Sequence, residues 1–374
     1  MNTRYGSSSN PKLTAWHCKQ ATLLYHFASV ERLRGLQRMV SALIGGVVEP
    51  LLLLAQAERR DSVLVDARWG TRNTSANWSN NAWPFLKEFQ ASLAKDVAGR
   101  AFERYRTTGV NEYFRGIGQY STQWMTPAEE TNFEDAIRLI SAYAIDIDDT
   151  LNDYHDSRWT DSGLAKAFRE FASTHAQIPK FRIRTDMTGE SGKTPGRTGV
   201  YVSQDDPHAA LQFAWIGNGG GKLRPSKTFS EIGLAALEKV GRDDLWLDEE
   251  KMFVFAMQRQ YQLMFKPTIY MAGEEHRDFS SIAVAKAAFI ERTCKWYFVE
   301  IANDEFVDVQ DDATSQTSSA LVQRISAGET CLTTGYYFTP AHPNSRRRLQ
   351  QGQVAPAYES QYGKTIWQWD QSQD

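Results

Sequence analysis

The stretch that most constrains this chain begins at Thr126. Thr126-Pro127-Ala128-Glu129 has the composition of a helix start: a hydroxyl at the N-cap, proline at the first helical position, and a glutamate three residues after the cap. From there Phe133, Ile137, Ile140, Ala144, Ile147, Leu151 and Tyr154 recur at spacings of 4, 3, 4, 3, 4 and 3. That rhythm places them all on one face of a single helix, which must pack against a core. Asp149, Asp153 and Asp156 repeat at the same spacing as a separate stripe, pointing away from the apolar face. Residues 129–161 carry ten acidic side chains against two arginines. Solvation accounts for such a face, and docking of a basic partner is the sharper reading.

The same stretch carries a competing signal. In Ala144-Ile145-Asp146-Ile147-Asp148-Asp149-Thr150-Leu151, the residues Asp146, Asp148 and Thr150 fit the D-x-D-x-T spacing of haloacid-dehalogenase-type phosphotransferases. There the first Asp is the nucleophile, the second the acid/base, and Mg²⁺ bridges them to the phosphate. That chemistry needs both carboxylates at the end of a buried strand, within reach of a metal. On a helix, residues i and i+2 point to different sides, so Asp146 and Asp148 diverge. A second acidic motif is also poor: in Val240-Gly241-Arg242-Asp243-Asp244, the glycine suits a helix stop and the aspartates suit caps. A divergent phosphatase at Asp146 and Asp148 is therefore the alternative, not the leading reading.

Other chemistry is thin. Gly189-Glu190-Ser191-Gly192-Lys193-Thr194 imitates a phosphate loop, but the glycine required earlier in that motif is Met187, and Pro195 and Gly196 would break the helix that should follow. It reads as a flexible turn. Gly217-Asn218-Gly219-Gly220-Gly221-Lys222 fails similarly, with Leu223 where a metal-binding Ser or Thr belongs, and reads as a mobile loop. The histidines are scattered and no cysteine pair offers a zinc half-site; Glu274-Glu275-His276 could hold a metal only with remote help. No G-x-S-x-G elbow occurs, and nothing local supports a nucleophile at Cys294 or Cys331. The expectation is no catalytic residue, no metal and no cofactor.

With 374 residues the chain is long enough for two or three domains, and its net charge of −3 gives no general attraction to nucleic acid. Cys18, Cys294 and Cys331, odd in number and far apart, argue against a disulfide framework and fit a cytoplasmic location. Met39–Ala55 is the one membrane-like run; it is short for a span and interrupted by Glu49-Pro50, so a buried core helix is expected, with membrane association as the alternative. The expected architecture is α+β: a mostly helical bundle over 1–177, then 178–374 with short antiparallel strands. Helices are expected around Leu13–Val30, around 33–56 and after Pro84, and residues 71–82 read as a loop. In the second half FRIRTD, GVYVSQ and AALQFAWIG read as strands, 228–240 and 246–264 as helical, and CKWYFVEIANDEFVDV as a hairpin turning at Ala302-Asn303-Asp304.

The C-terminal stretch Gly328–Asp370 reads as a compact aromatic module of strands and loops. Near its end Ile366 opposes Trp367, and Trp367 and Trp369 share a face that either closes a small core or presents a contact patch. Arg346, Arg347 and Arg348 read as a solvated basic patch beside it, with pairing to nearby carboxylates or an anion site as the alternatives. The pattern G-x-x-C-x-x-x-G-Y-Y-F-T-P-A, then N-S-R-R, G-x-V-x-P and Y-G-x-T-I-W-Q-W-D resembles the C-terminal signature of bacterial polymorphic-toxin immunity proteins, nearest the families catalogued as immunity proteins 71 and 72. R-T-G-V-Y-V at 197–202 and D-D-P-H-A-A-L-Q-F-A-W at 205–215 are similar too. The chain departs at Leu332, where proline is expected, and at Leu349, where an aromatic is.

The resemblance implies a protein that protects its producer from a toxin delivered by contact-dependent secretion, in the context of a type VI secretion or Rhs-type effector. Its partner would be the cognate toxin domain, bound tightly with its active site covered or distorted. Candidate interface residues are Asp149, Asp153 and Asp156, with Tyr336, Tyr337, Arg346, Arg347, Trp367 and Trp369. The competing possibilities are an enzyme, either the phosphatase above or a hydrolase reversing a toxin's modification, and a membrane-associated factor using residues 39–55.

Overall fold

The computed structural model describes residues 12–152, 159–308, 324–331, 333–339, 345–357 and 365–370. The N-terminal half is helical and the C-terminal half carries the antiparallel sheets, so the fold is α+β as expected. Helix α1 (Ala15–Ala28) opens with a Thr14/His17 capping box. Helix α2 (Val30–Ala42) passes through a π-helical turn, Leu43–Val48, into α3 (Glu49–Ala57), making one helix of 28 residues. The sequence explains the widened turn. Gly45 and Gly46 place no side chains there, and Pro50 lacks an N–H while its ring would meet the carbonyl of Gly46 in a regular helix.

Helices α4 (Ser75–Asn81), α5 (Trp83–Gly99), α6 (Val110–Ile117), α7 (Pro127–Leu151) and α8 (Asp161–Thr174) complete the first half. Helix α7 has the expected capping box between Thr126 and Glu129, and buries Phe133, Ile140, Ala144, Ile147 and Leu151. Tyr154 lies outside the described residues. The loop expected at 71–82 is corrected to helix α4. Thr74 caps it by accepting from Asn77 N, and the Asp61 carboxylate accepts from Ser75 N, Ser75 Oγ and Ala76 N at 2.6–3.0 Å. Trp78 anchors the helix, fully buried against Trp124 and Phe133.

Strands β1 (Gln177–Glu190), β2 (Gly199–Ser203), β3 (Gln212–Ala214) and β4 (Ser226–Phe229) follow, then α9 (Glu231–Val240), α10 (Glu249–Ala256) and α11 (Gln262–Ile269). The helical run expected over 246–264 is thus divided in two. After β5 (Tyr270–Met271), β6 (Glu274–Glu275), α12 (Ser280–Ala285) and β7 (Phe289–Arg292) comes β8 (Lys295–Asp308). The first sheet is antiparallel in the order β1-β8-β2-β3.

The hairpin expected at Ala302-Asn303-Asp304 is also corrected. β8 is one strand running the length of β1, and the turn-like residues fall in a bulge. Phe306 pairs with Pro179 and Ile301 with Phe181, so β8 has extra residues there; Arg184 pairs with Phe298 and Thr188 with Tyr297, so β1 has as many extra further along. The two irregularities offset each other and the strands end in register.

Helix α1 links the halves. The Tyr25 hydroxyl donates to the Val299 carbonyl at 2.6 Å and accepts from Val200 N, while its ring stacks on Phe181. Gly199 makes room for this contact: a Cβ there would meet the Phe298 ring at 2.5 Å and the Tyr25 hydroxyl at 2.8 Å. One hydrophobic core runs from Leu23, Leu36 and Leu86 through Ile147 to Val200, Phe213 and Val299. Residue 177 is therefore a change of secondary structure that the core crosses. Helices α9–α12 enclose a second core around Trp246 and Phe255. A last antiparallel sheet, β11-β10-β12-β9, is built from β9 (Arg324–Ser326), β10 (Gly335–Phe338), β11 (Arg347–Leu349) and β12 (Ile366–Trp369), with its own small core.

Candidate partner-binding site

The Asp-rich end of α7 turns inward. Asp146 accepts from Arg32 Nη2 at 2.7 Å, and that guanidinium also lies over the Tyr143 ring. Asp148 points elsewhere, accepting from Thr108 N at 2.6 Å and Thr108 Oγ1 at 2.9 Å. The two carboxylates thus serve different neighbours, as i and i+2 on a helix must. Asp149 faces a cavity of about 30 Å³ lined by Leu24, Trp159, Gln212, Arg224, Lys227 and Glu291. That volume suits a water molecule or two, not a substrate. Burial is the leading influence on all three carboxyls and pushes each up to about 6, against Arg32 for Asp146, Thr108 for Asp148 and Lys227 for Asp149. Asp149 is therefore a wall residue between helix and sheet, which corrects its expected place on an outward stripe. Asp153 and Asp156 lie outside the described residues.

The C-terminal patch divides in the same way. Tyr337 and Trp367 are both fully buried; Tyr337 donates to Thr333 O at 2.8 Å and Trp367 Nε1 to Pro356 O at 2.9 Å. They form the module's core with Ile325, Cys331 and Leu349, and this corrects their expected role as contact residues. Trp369 pairs through its backbone with Tyr337; its side chain is outside the description. Arg346 and Arg347 are exposed, and Tyr336 is half-buried. Arg346 lies over the Tyr336 ring and reaches Asp370 at 2.5 Å, so its charge is already paired.

Smaller sequence signals resolve as structure. Ser191, in the loop that imitates a phosphate site, donates to the Arg224 and Cys294 carbonyls and accepts from Trp296 Nε1 at 3.1 Å, which pins the turn. Asn218 fixes the glycine loop by accepting from Tyr105 N and Trp215 Nε1. Glu275 is taken by Arg277 and Tyr270. Among the described residues no group of three His, Cys, Asp or Glu could hold a metal.

The surface with the character of a binding site lies within the run expected to be a buried core helix. Helix α2 does bury Leu33, Leu36 and Val40, and the π turn Leu43, Ile44 and Val48. In α3, however, only Ala55 is buried. Leu53 is 67% exposed and Leu54 41%. The chain just beyond adds Val63, Val65 and Trp69, all more than half exposed. Beside them α3, α4 and the start of α5 enclose a groove of about 810 Å³. Leu52, Leu53, Ala55 and Trp83 supply its apolar wall, and Glu49, Arg59 and Asp61 its charged edge. The groove is well braced. Asp61 holds the N-terminus of α4, and Arg60 makes a two-pronged contact with Glu129 at 2.6 and 3.1 Å while bonding Glu58 at 2.7 Å. Hydrogen bonding to Arg60 holds the Glu129 carboxyl down at about 2.

The chain matches no family model, no curated protein and no solved structure. The signal for the groove was present in Leu51-Leu52-Leu53-Leu54: consecutive residues step 100° around a helix, so four leucines in a row cannot all face one core. A rigid, partly apolar groove with charged edges can seat a protein segment, and burying each exposed leucine on it contributes about 1.5–3 kcal/mol.

Proposed function

We propose that this protein is an immunity protein that binds and neutralises the cognate toxin domain of a secreted antibacterial effector, in the setting of type VI secretion or an Rhs-type shell. The observation that carries the binding part is the exposed leucine face of α3 beside its braced groove. Clustered exposed apolar side chains of this kind mark a contact site. The toxin as partner is supported by the C-terminal motifs, whose aromatic and cysteine positions supply the core of a separate small sheet. Binding, not catalysis, is the mode we assign: the α7 aspartates are engaged with Arg32 and Thr108 and diverge.

The test is capture of partners on the tagged full-length chain from the cells that make it. Recovery of one effector C-terminal domain at near-equal amounts is expected. Replacing Leu53 and Leu54 together by glutamate should weaken that complex by about 100-fold or more, as for loss of a hot spot, while leaving the thermal unfolding midpoint in place. If the wild-type chain emerges alone from cells that make such effectors, the immunity reading fails. If the toxin is captured equally well by the double variant, α3 is not the contact surface. Flotation of the chain with anionic vesicles, lost in the same variant, would instead point to a membrane role for α3.

A further inference from the structure

A separate cavity, sharing no wall residue with the α3 groove, lies where the N-terminus of α8 meets α12. It holds about 360 Å³, and its polar wall is Thr160, Ser162, Gly163, Lys166, Ser281 and Lys286. We propose that this cavity binds the phosphoryl group of a small phosphate monoester, with the organic part against Ile282, Ala285 and Phe289.

Independent observations converge on an anion here. Helix α8 has 14 residues, long enough for its first-turn amides and dipole to favour negative charge. Its N-cap Thr160 satisfies only Gly163 N, at 3.3 Å, and the Asp161 and Ser162 amides precede the helix ladder. The residue that should repel an anion, Asp161, faces the other way. It is 3% exposed and accepts from Trp16, Gln20, Arg242 and Trp246, with Arg242 beside it as counter-charge. Lys166 follows on the same helix and Lys286 comes from the end of α12, and among the described residues neither is in an ion pair.

The wall also contains an unmet need. Ser281 is 1% exposed, and among the described residues its Oγ has no hydrogen-bond partner. A buried hydroxyl left so is costly, and because it is enclosed, a turn about χ1 would be what brings it to a phosphoryl oxygen in the cavity. Its backbone N–H is already held by Glu249 at 2.8 Å, which fixes the residue without placing that carboxylate in the wall. Cations from two segments, a helix start and a buried hydroxyl suit a phosphoryl dianion, and the adjoining Ile282, Ala285 and Phe289 suit a carbon skeleton in place of bulk solvent.

The test is calorimetric titration of the full chain with phenyl phosphate and with inorganic phosphate, ionic strength held constant with KCl. Saturable binding of both is expected, with phenyl phosphate tighter; equal affinity would overturn the ester assignment. Lys166→Met and Lys286→Met should each weaken binding about tenfold, in keeping with loss of one charge-assisted contact. Ser281→Ala should weaken it severalfold without lowering the unfolding midpoint, since the hydroxyl it removes has no partner among the described residues. Absence of saturable binding, or unchanged binding in the Lys166→Met/Lys286→Met double variant, would overturn the proposal. Neither result depends on the toxin partner.

Discussion

Asp161, at the first position of α8, and Asp149, near the last turn of α7, are both drawn out of bulk water, yet their surroundings are opposite. Asp161 collects donors from Trp16, Gln20, Arg242 and Trp246 and so ties α1, α8 and the segment before α10 together. It also stands at the positive end of its helix dipole. Asp149 stands at the negative end, beside Asp146 and Asp148, with Lys227 as the opposing charge. The difference teaches that a buried carboxylate becomes a joint where donors converge on it, and a liability where carboxylates accumulate.

The largest expected effect comes from removing the joint. Asp161→Ala leaves Arg242 beside two tryptophan N–H groups with no acceptor, and should cost about 3–5 kcal/mol in urea unfolding. A loss below 1 kcal/mol would end the comparison. Asp148 is intermediate, because Thr108 gives it two hydrogen bonds but burial still raises it. Asp148→Ala should cost about 1–2 kcal/mol, mainly by stranding the buried Thr108 N–H; a stabilised variant would place Asp148 with Asp149 instead.

Asp149→Asn is expected to stabilise the fold by about 1 kcal/mol at pH 7, well short of the full value of its shift because the site is only half-buried. The sign follows from its raised carboxyl. Between the ordinary aspartate value and about 6 the folded chain holds a proton that the unfolded chain has lost, so stability falls as pH rises through that window. The advantage of Asp149→Asn should therefore shrink as the pH is lowered from 6 towards 4. An advantage that is constant with pH would mean the wild-type carboxyl is not raised. The comparison must be made between variant and wild type, because His26 acts in the opposite sense. Burial holds it down at about 3, so the unfolded chain takes up that proton first and acid costs stability.

These contrasts also separate what could be read in the sequence from what could not. The start of α7 and its course through Asp146 were legible because capping and periodicity are local. α4 was not, since Ser75–Asn81 is polar and depends on Asp61, an acceptor from well before it in the chain, and on a pocket for Trp78. The turn at Asn303-Asp304 was a sound local inference that lost to a long-range one: β1 offers partners on both sides of it. For the candidate site, Leu51–Leu54 were visible as apolar but not as surface, because burial depends on which helices arrive to cover them. Tyr337 and Trp367 showed the converse, aromatic residues that the small sheet consumes as its own core.

The π turn at Leu43–Val48 has a consequence for how this chain tolerates insertions and deletions. A π turn accommodates one residue more than an α turn without rotating the helix on either side. Here it keeps Val48 and Ala55 facing the core that holds Leu33, Leu36 and Val40. Loss of one residue at Gly45 or Gly46 would leave both ends in phase, with a kink where Pro50 then meets the carbonyl of the turn before it. The same loss anywhere else in α2 or α3 would turn every later side chain by about 100°, exchanging the leucines that hold the fold for those that face outward. The reading frame of that long helix has one elastic point, and it lies between the part that folds the protein and the exposed leucine face.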